Sequence, residues 1–281
     1  MSITLILMFL SLGAVVGLMA GLLGIGGGGI LVPVLTTIFL SQHVPIESVV
    51  HIALGTSMAC IAFTSFASFR AHHANGAVDW SFVKYMAPGI VIGTFAATFI
   101  AAMVSFKVLA IFFSCFMAYV SVQMLFKLQA TPNSKIHFTA QNMAHRFELL
   151  IASLIIGAIS ALVSIGGGSL TVPYLSWRGI DIKKAIGTSA AVGFPLSVAG
   201  SLGYLLNGWS QAESNIPFVF GFIHPPAVFL IAMASVLTAP VGANLTKKLP
   251  VNTIKKIFAL LLFMLSLKML MSLDLLSVTS L

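Results

Sequence analysis

Charge is scarce in this 281-residue sequence: Asp, Glu, Lys and Arg make up 7% of it, against 59% hydrophobic residues. So little polar surface excludes a soluble monomer and points to a chain whose solvent is lipid. Acids are scarcest. The six of them, Glu47, Asp79, Glu148, Asp181, Glu213 and Asp274, all lie at connections or at the ends of apolar runs. No carboxylate is therefore placed at mid-membrane to bind a metal cation or relay protons, which counts against cation transport. Cysteine is nearly absent too. Cys60 and Cys115 fall inside apolar runs, where neither a disulfide framework nor a metal site is expected, and they read as small packing residues. Also missing are the Gly-Lys-Ser/Thr of a P-loop, HExxH and GxSxG. ATP-driven transport by this chain and the common hydrolase chemistries lack their parts, so neither enzyme activity nor a cofactor is expected.

What is present is apolar length. Eight runs, roughly 4–23, 49–69, 83–104, 107–127, 147–165, 185–206, 226–246 and 252–273, recur along the chain. Each approaches the ~20 residues that a helix rising ~1.5 Å per residue needs to cross a ~30 Å hydrocarbon core. The short alternating segments of a β-barrel are absent. The opening MSITLILMFLSLGAVV lacks a basic n-region and leads into more membrane, so it reads as a span rather than a cleaved signal. The net charge of +8 sits in short connections beside the spans, where basic residues set orientation; no nucleic-acid partner is implied.

The chain repeats itself. GLLGIGGGGILVPVL at 21–35 is echoed by ALVSIGGGSLTVPYL at 161–175, with eight of fifteen positions identical at an offset of 140. Gly55-Thr56-Ser57 is echoed by Gly187-Thr188-Ser189 at an offset of 132. Two related halves follow. The longest polar connection, 127–146, marks the boundary between a first transmembrane repeat at 1–130, a cytoplasmic linker at 131–146 and a second repeat at 147–281.

Charge decides how the halves are oriented. If the piece after each glycine run dips and returns to the same face, the fourteen Lys and Arg split six against eight. If each glycine run is the bend of a helical hairpin, twelve share one face: Arg70, Lys84, Lys127, Lys135, Arg146, Arg178, Lys183, Lys184, Lys247, Lys248, Lys255 and Lys256. Only Lys107 and Lys268 stand opposite, the latter snorkelling toward the outer face. That asymmetry is the mark of a cytoplasmic face. It predicts extracytoplasmic termini and an all-α polytopic bundle of two inverted repeats, each a Gly-rich hairpin plus three transmembrane helices.

The hairpin arms are uneven. Residues 30–40 cover only ~17 Å and residues 170–177 about 12 Å at helical rise, too short to cross alone. Each hairpin is expected to enter partway from its own face, with its bend buried in protein or lining a wet cavity. Glycines expose N–H groups where a helix breaks, and the returning arm begins with free N–H groups and the positive end of its dipole. An anion is stabilised there, as at the broken helices of inverted-repeat transporters. Pro33 and Pro173 fit the start of such an arm, and a cavity is expected between the two bends. Close packing of helices through small residues is the alternative use of the glycines.

The expected substrate-binding set is Gly26, Gly27, Gly28, Gly29, Thr56, Ser57, Gly166, Gly167, Gly168, Ser169, Thr188 and Ser189. The hydroxyls of Thr56, Ser57, Thr188 and Ser189, placed in the first turns of their spans, either add donors or bond back to their own helices. His72 and His73 read as solvated residues of the cytoplasmic connection RAHHANGAVDW. His51 and His224, near outer span ends, serve as interfacial hydrogen-bonding groups or as titrating groups that couple transport to protons. Residues 24–29 satisfy GxGxxG, but a membrane helix precedes them, and the second copy breaks the pattern at Ser164 and Ser169.

Two glycine-proline hairpins, each followed by a Gly-Thr-Ser helix segment within an eight-span chain, resemble the sulfite exporter TauE/SafE family of bacterial permeases over residues 4–273. The resemblance implies a multi-pass cell-membrane transporter of sulfite, sulfonates or related sulfur-containing anions, acting as a secondary carrier. Gly26 to Gly29, Pro33, Gly166 to Ser169 and Pro173 match its paired motif. The expected work is export of a small sulfur oxyanion by alternating access around the two bends. The alternatives are a permease for another small anion and a non-transporting scaffold or accessory subunit. The expected partners are the small anion, the lipid bilayer and protons as a coupling ion, with the oligomeric state open.

Overall fold

The computed structural model describes residues 2–24, 26–125, 143–209 and 217–246, together with 256, 259–269 and 271. The described helices are α1 (Ile3–Leu23), α2 (Gly28–Ser41), α3 (Ile46–Ala74), α4 (Trp80–Met103), α5 (Phe106–Leu125), α6 (Met143–Val163), α7 (Gly168–Trp177), α8 (Ile182–Trp209) and α9 (Pro225–Leu245). No strand occurs among the described residues. Seven of the described helices are long and apolar enough to cross a membrane, while α2 has 14 residues and α7 has 10. At helical rise these two reach about 21 Å and 15 Å, short of a ~30 Å core. The eighth apolar run is described only in part, as a helical stretch Ala259–Met269. Most of the expected linker lies outside the described residues, and its last residues, 143–146, already belong to α6.

Two long helices form the centre. α3 and α8 pack against each other, and around them the contacts are reciprocal: α9 and α2 lie against α3, α4 and α7 against α8, α1 against α9, and α6 against α4. α3 buries every residue from Val49 to Ile61, whereas the peripheral helices turn large apolar residues such as Leu7, Phe99, Ile111, Phe229 and Leu237 outward. In water those side chains would be a liability; in a bilayer they face their own kind.

The outer pairs are cemented by small residues. Gly13, Gly17 and Gly21 recur every fourth position on α1 and meet the α9 backbone at Ile231, Ser235 and Ala239 so closely that any Cβ would overlap it. On α4, Gly89 and Gly93 meet the α6 backbone at Leu150 and Leu154 in the same way. Lipid tails offer no hydrophobic drive between helices, so close backbone approach and its dispersion energy hold such pairs together. The close-packing use of glycine is therefore real in these spans.

Candidate functional site

Each hairpin breaks at a left-handed residue that glycine adopts without strain. α1 ends at Gly24, whose φ is +67°, and α2 begins after Gly27, whose φ is +81°. In the second hairpin α7 begins after Gly167 at φ +75°, and the position matching Gly24 is Ser164 at φ +48°. A side chain in that region carries a steric penalty that glycine avoids. Gly27 O accepts from Ile30 and Leu31, and Gly167 O from Leu170 and Thr171, which starts each arm. The N–H groups of Gly28 and Gly29, and of Gly168 and Ser169, occupy the first helical positions, where no intrahelical acceptor exists. Gly27, Gly28, Gly29, Gly167, Gly168 and Ser169 are all buried.

The two bends touch. A Cβ on Gly26 would sit 2.7 Å from Gly166 Cα, and one on Gly28 would overlap the Ser164 carbonyl. The expected hollow between the bends is thus replaced by backbone against backbone, because residues without side chains let the chains close. The prolines also sit deeper than expected. α2 starts at Gly28 and α7 at Gly168, so Pro33 and Pro173 are interior, in the second turn. Lacking N–H, each withdraws the helical donor from the carbonyl four residues earlier, at Gly29 and Ser169.

Three of the four hydroxyls bond to backbone groups at the ends of other helices. α3 begins at Ile46 and α8 at Ile182, which puts Thr56, Ser57, Thr188 and Ser189 beyond the first turn, fully buried. Thr56 Oγ1 accepts the backbone N–H of His224 at 3.0 Å, and Thr188 Oγ1 accepts that of Asp79 at 3.0 Å. Those donors are the N-caps of α9 and α4. Ser189 Oγ donates to Gly24 O at 3.0 Å, and Ser164 Oγ donates to Leu54 O at 2.9 Å. Ser57 Oγ, Ser169 Oγ and Thr171 Oγ1 are buried with no protein partner. Thr171 was not among the expected residues, although its place in the first turn of the second arm marks it.

A second reciprocity concerns the last turns before the bends. His72 Nε2 donates to Gly21 O at 2.9 Å, and Tyr204 OH donates to Ala161 O at 2.9 Å. Gly21 and Ala161 are separated by the repeat offset of 140, His72 and Tyr204 by the helix offset of 132. His72 is therefore no solvated loop residue: α3 runs on to Ala74 and carries the imidazole into the core. Thr246 Oγ1 adds a bond to Leu22 O at 3.1 Å, so the carbonyls at the end of α1 are held from α3, α8 and the end of α9. His51 Nε2 reaches Ala101 O at 3.1 Å and Val104 O at 3.2 Å, a hydrogen-bonding role at the end of α4. His224 Nδ1 accepts from Ala227 N at 3.2 Å, and burial holds this imidazole below its ordinary value, against an opposing backbone hydrogen bond.

Chemically, the bends offer backbone N–H groups and three unpaired hydroxyls and no charge. No cluster of three metal-ligating side chains occurs among the described residues. Cys60 is buried and Cys115 exposed, both free.

A multi-pass helical membrane protein with two broken helices meeting in its interior is the class that this fold and site define. The chain belongs to the sulfite exporter TauE/SafE family, whose model matches residues 9–269. A "Probable membrane transporter protein" of Haemophilus influenzae is 35% identical, covering 95% of this chain and 98% of that one. Bacillus subtilis proteins named YdhB and YunE, also described as probable membrane transporters, are 26% and 28% identical over 85% and 73% of this chain and 89% and 81% of their own. No solved structure matches the chain. The family is one of membrane transporters rather than enzymes, and the chain is a membrane permease.

Proposed function

We propose that this permease is a secondary transporter that exports small sulfur-containing oxyanions, sulfite or an organosulfonate, by alternating access at the two glycine bends. The observation that carries the reading is the meeting of Gly26 and Gly166, with the first N–H groups of both arms and the unpaired hydroxyls of Ser57, Ser169 and Thr171 buried nearby. Neutral donors and helix dipoles suit an anion that must shed its water without a fixed counter-charge. The substrate class rests on the family's description. Because the bends are in contact, the structure corresponds to a closed state in this reading, and transport requires them to part.

The halves 1–130 and 147–281 are read as inverted repeats in a bacterial cytoplasmic membrane, with the lysine-rich face inside, both termini outside and protons as the coupling ion. The matching bonds that Thr56 and Thr188 accept from the N-caps of α9 and α4, and that His72 and Tyr204 donate to Gly21 O and Ala161 O, support paired halves. The same tight contact between bends favours a second reading, a scaffold without a path. Sulfite flux in proteoliposomes separates them. Flux that falls in Gly167→Ala, in protein that melting shows to be folded despite the strain a side chain meets at φ +75°, supports the carrier. Folded protein that carries no sulfur oxyanion at all supports the scaffold.

A further inference from the structure

Away from the bends, a cavity of about 160 Å³ opens where the end of α3, the 76–77 turn, the start of α8 and the end of α9 meet. Its side chains are His72, Asn75, Lys183, Lys184 and Thr246. None is acidic. The two carboxylates of the neighbourhood are engaged as helix caps: Asp181 Oδ1 accepts from Lys183 N at 3.0 Å and Lys184 N at 3.3 Å, and Asp79 Oδ1 accepts from Ser81 N at 3.1 Å. The lining therefore combines two lysines with Asn75, whose Nδ2 donates to Asn244 Oδ1 at 3.1 Å and keeps a second N–H, and a concave basic site focuses its field on anions.

Size narrows the ligand. The volume is well below the ~300 Å³ at which sites for drug-sized molecules begin, and it equals the share of about five waters. A single-centre oxyanion with part of its hydration shell fits that space. The inner wall is also informative. His72 and Thr246, which line the cavity, are the residues that hold Gly21 O and Leu22 O, two and three residues before Gly24. The cavity thus backs onto the last turn of α1, the segment that leads into the first bend.

We propose that this cavity is a second anion site, which captures a small oxyanion from the lysine-rich face between Lys183, Lys184 and Asn75 before it reaches the glycine bends. The inference rests on the transport reading above and adds a residue set outside the bends. The anion arrives from solution, although a lipid phosphate presents the same chemistry, so the test separates the two.

Sulfite and sulfate are titrated calorimetrically into the full-length protein in a phosphate-free maltoside detergent, with and without added phosphatidylglycerol. Both lysines are exposed, so Lys183→Gln/Lys184→Gln leaves the packing intact, and thermal melting checks this. Each charge-assisted hydrogen bond lost weakens binding by about tenfold or more, so the double variant binds sulfite at least tenfold more weakly. In proteoliposomes its KM from the lysine-rich face rises while the maximal rate holds. Unchanged affinity and KM in the double variant overturn the capture site and leave transport standing. Lysine-dependent sulfite binding without flux keeps the site and removes the transport reading. If sulfite and sulfate do not bind but phosphatidylglycerol stabilises the wild type and not the double variant, the cavity holds a lipid headgroup and the proposal is wrong.

Discussion

Ser189 Oγ donates to the carbonyl of Gly24 at 3.0 Å, so a hydroxyl from the second half of the chain holds the residue at which the first helix stops. Ser189→Ala leaves that carbonyl buried without this donor, which costs about 1 kcal/mol. Ser197, whose hydroxyl bonds only to Gly193 O and Phe194 O in its own helix, is the comparison. Thermal unfolding in detergent should show Ser189→Ala melting earlier and Ser197→Ala close to the parent.

Gly28 has no room for a methyl group, since a Cβ there would overlap the Ser164 carbonyl and would also meet Ile61. Gly28→Ala is expected to force the bends apart, lowering stability by roughly 1–3 kcal/mol as an overpacked core does. Gly179, with a left-handed φ of +84° but nothing near its missing Cβ, should cost only about 1 kcal/mol when changed to Ala. Sulfite flux should be lost in the first variant and kept in the second, with folded fraction monitored by gel filtration.

Acid should weaken the packing of α9. His224 stands just ahead of that span, its neutral Nδ1 accepts from Ala227 N, and burial keeps its proton affinity below the ordinary value of 6.5. The unfolded chain then binds the extra proton more readily, so stability rises with pH. The contribution is complete above the unfolded value and drains away as pH falls from there through the folded one. Melting temperatures taken between pH 8 and 5 should show the decline, and His224→Asn, which caps without titrating, should flatten it.

The second hairpin is fastened near its open end by Glu148, which pairs with Arg178 and accepts from Tyr174 OH at 3.1 Å. Both ionic side chains are partly exposed, so the pair is worth less than about 1 kcal/mol. Glu148→Gln should lower the melting temperature slightly at low salt, and raising the salt should shrink the difference from the parent.

The helix breaks were legible in the letters because a left-handed bend asks for glycine, and the repeated Gly-Pro segments place Gly27 and Gly167 at the starts of their arms. What was not legible depended on distant partners. His72 stands beside a second histidine and an Asn-Gly turn, which reads as a wet connection, yet its acceptor lies 51 residues earlier on α1. The same holds for Thr56 and Thr188, whose donors are backbone groups 168 and 109 residues away. Composition predicts that small hydroxyls are tolerated there but carries no record of which amide they meet. The contact of Gly26 with Gly166 was likewise invisible, since glycine clusters are compatible with an open hollow and with a closed seam.

The seam has a kinetic consequence. Where a gate is an aromatic ring or a long side chain, a rotamer flip on the picosecond-to-nanosecond scale opens it, but Gly26 and Gly166 have nothing to rotate. Any parting at this point has to displace whole helical arms, a microsecond-to-millisecond event. In the transport reading proposed above, the pace of turnover is then set by the skeleton of the hairpins.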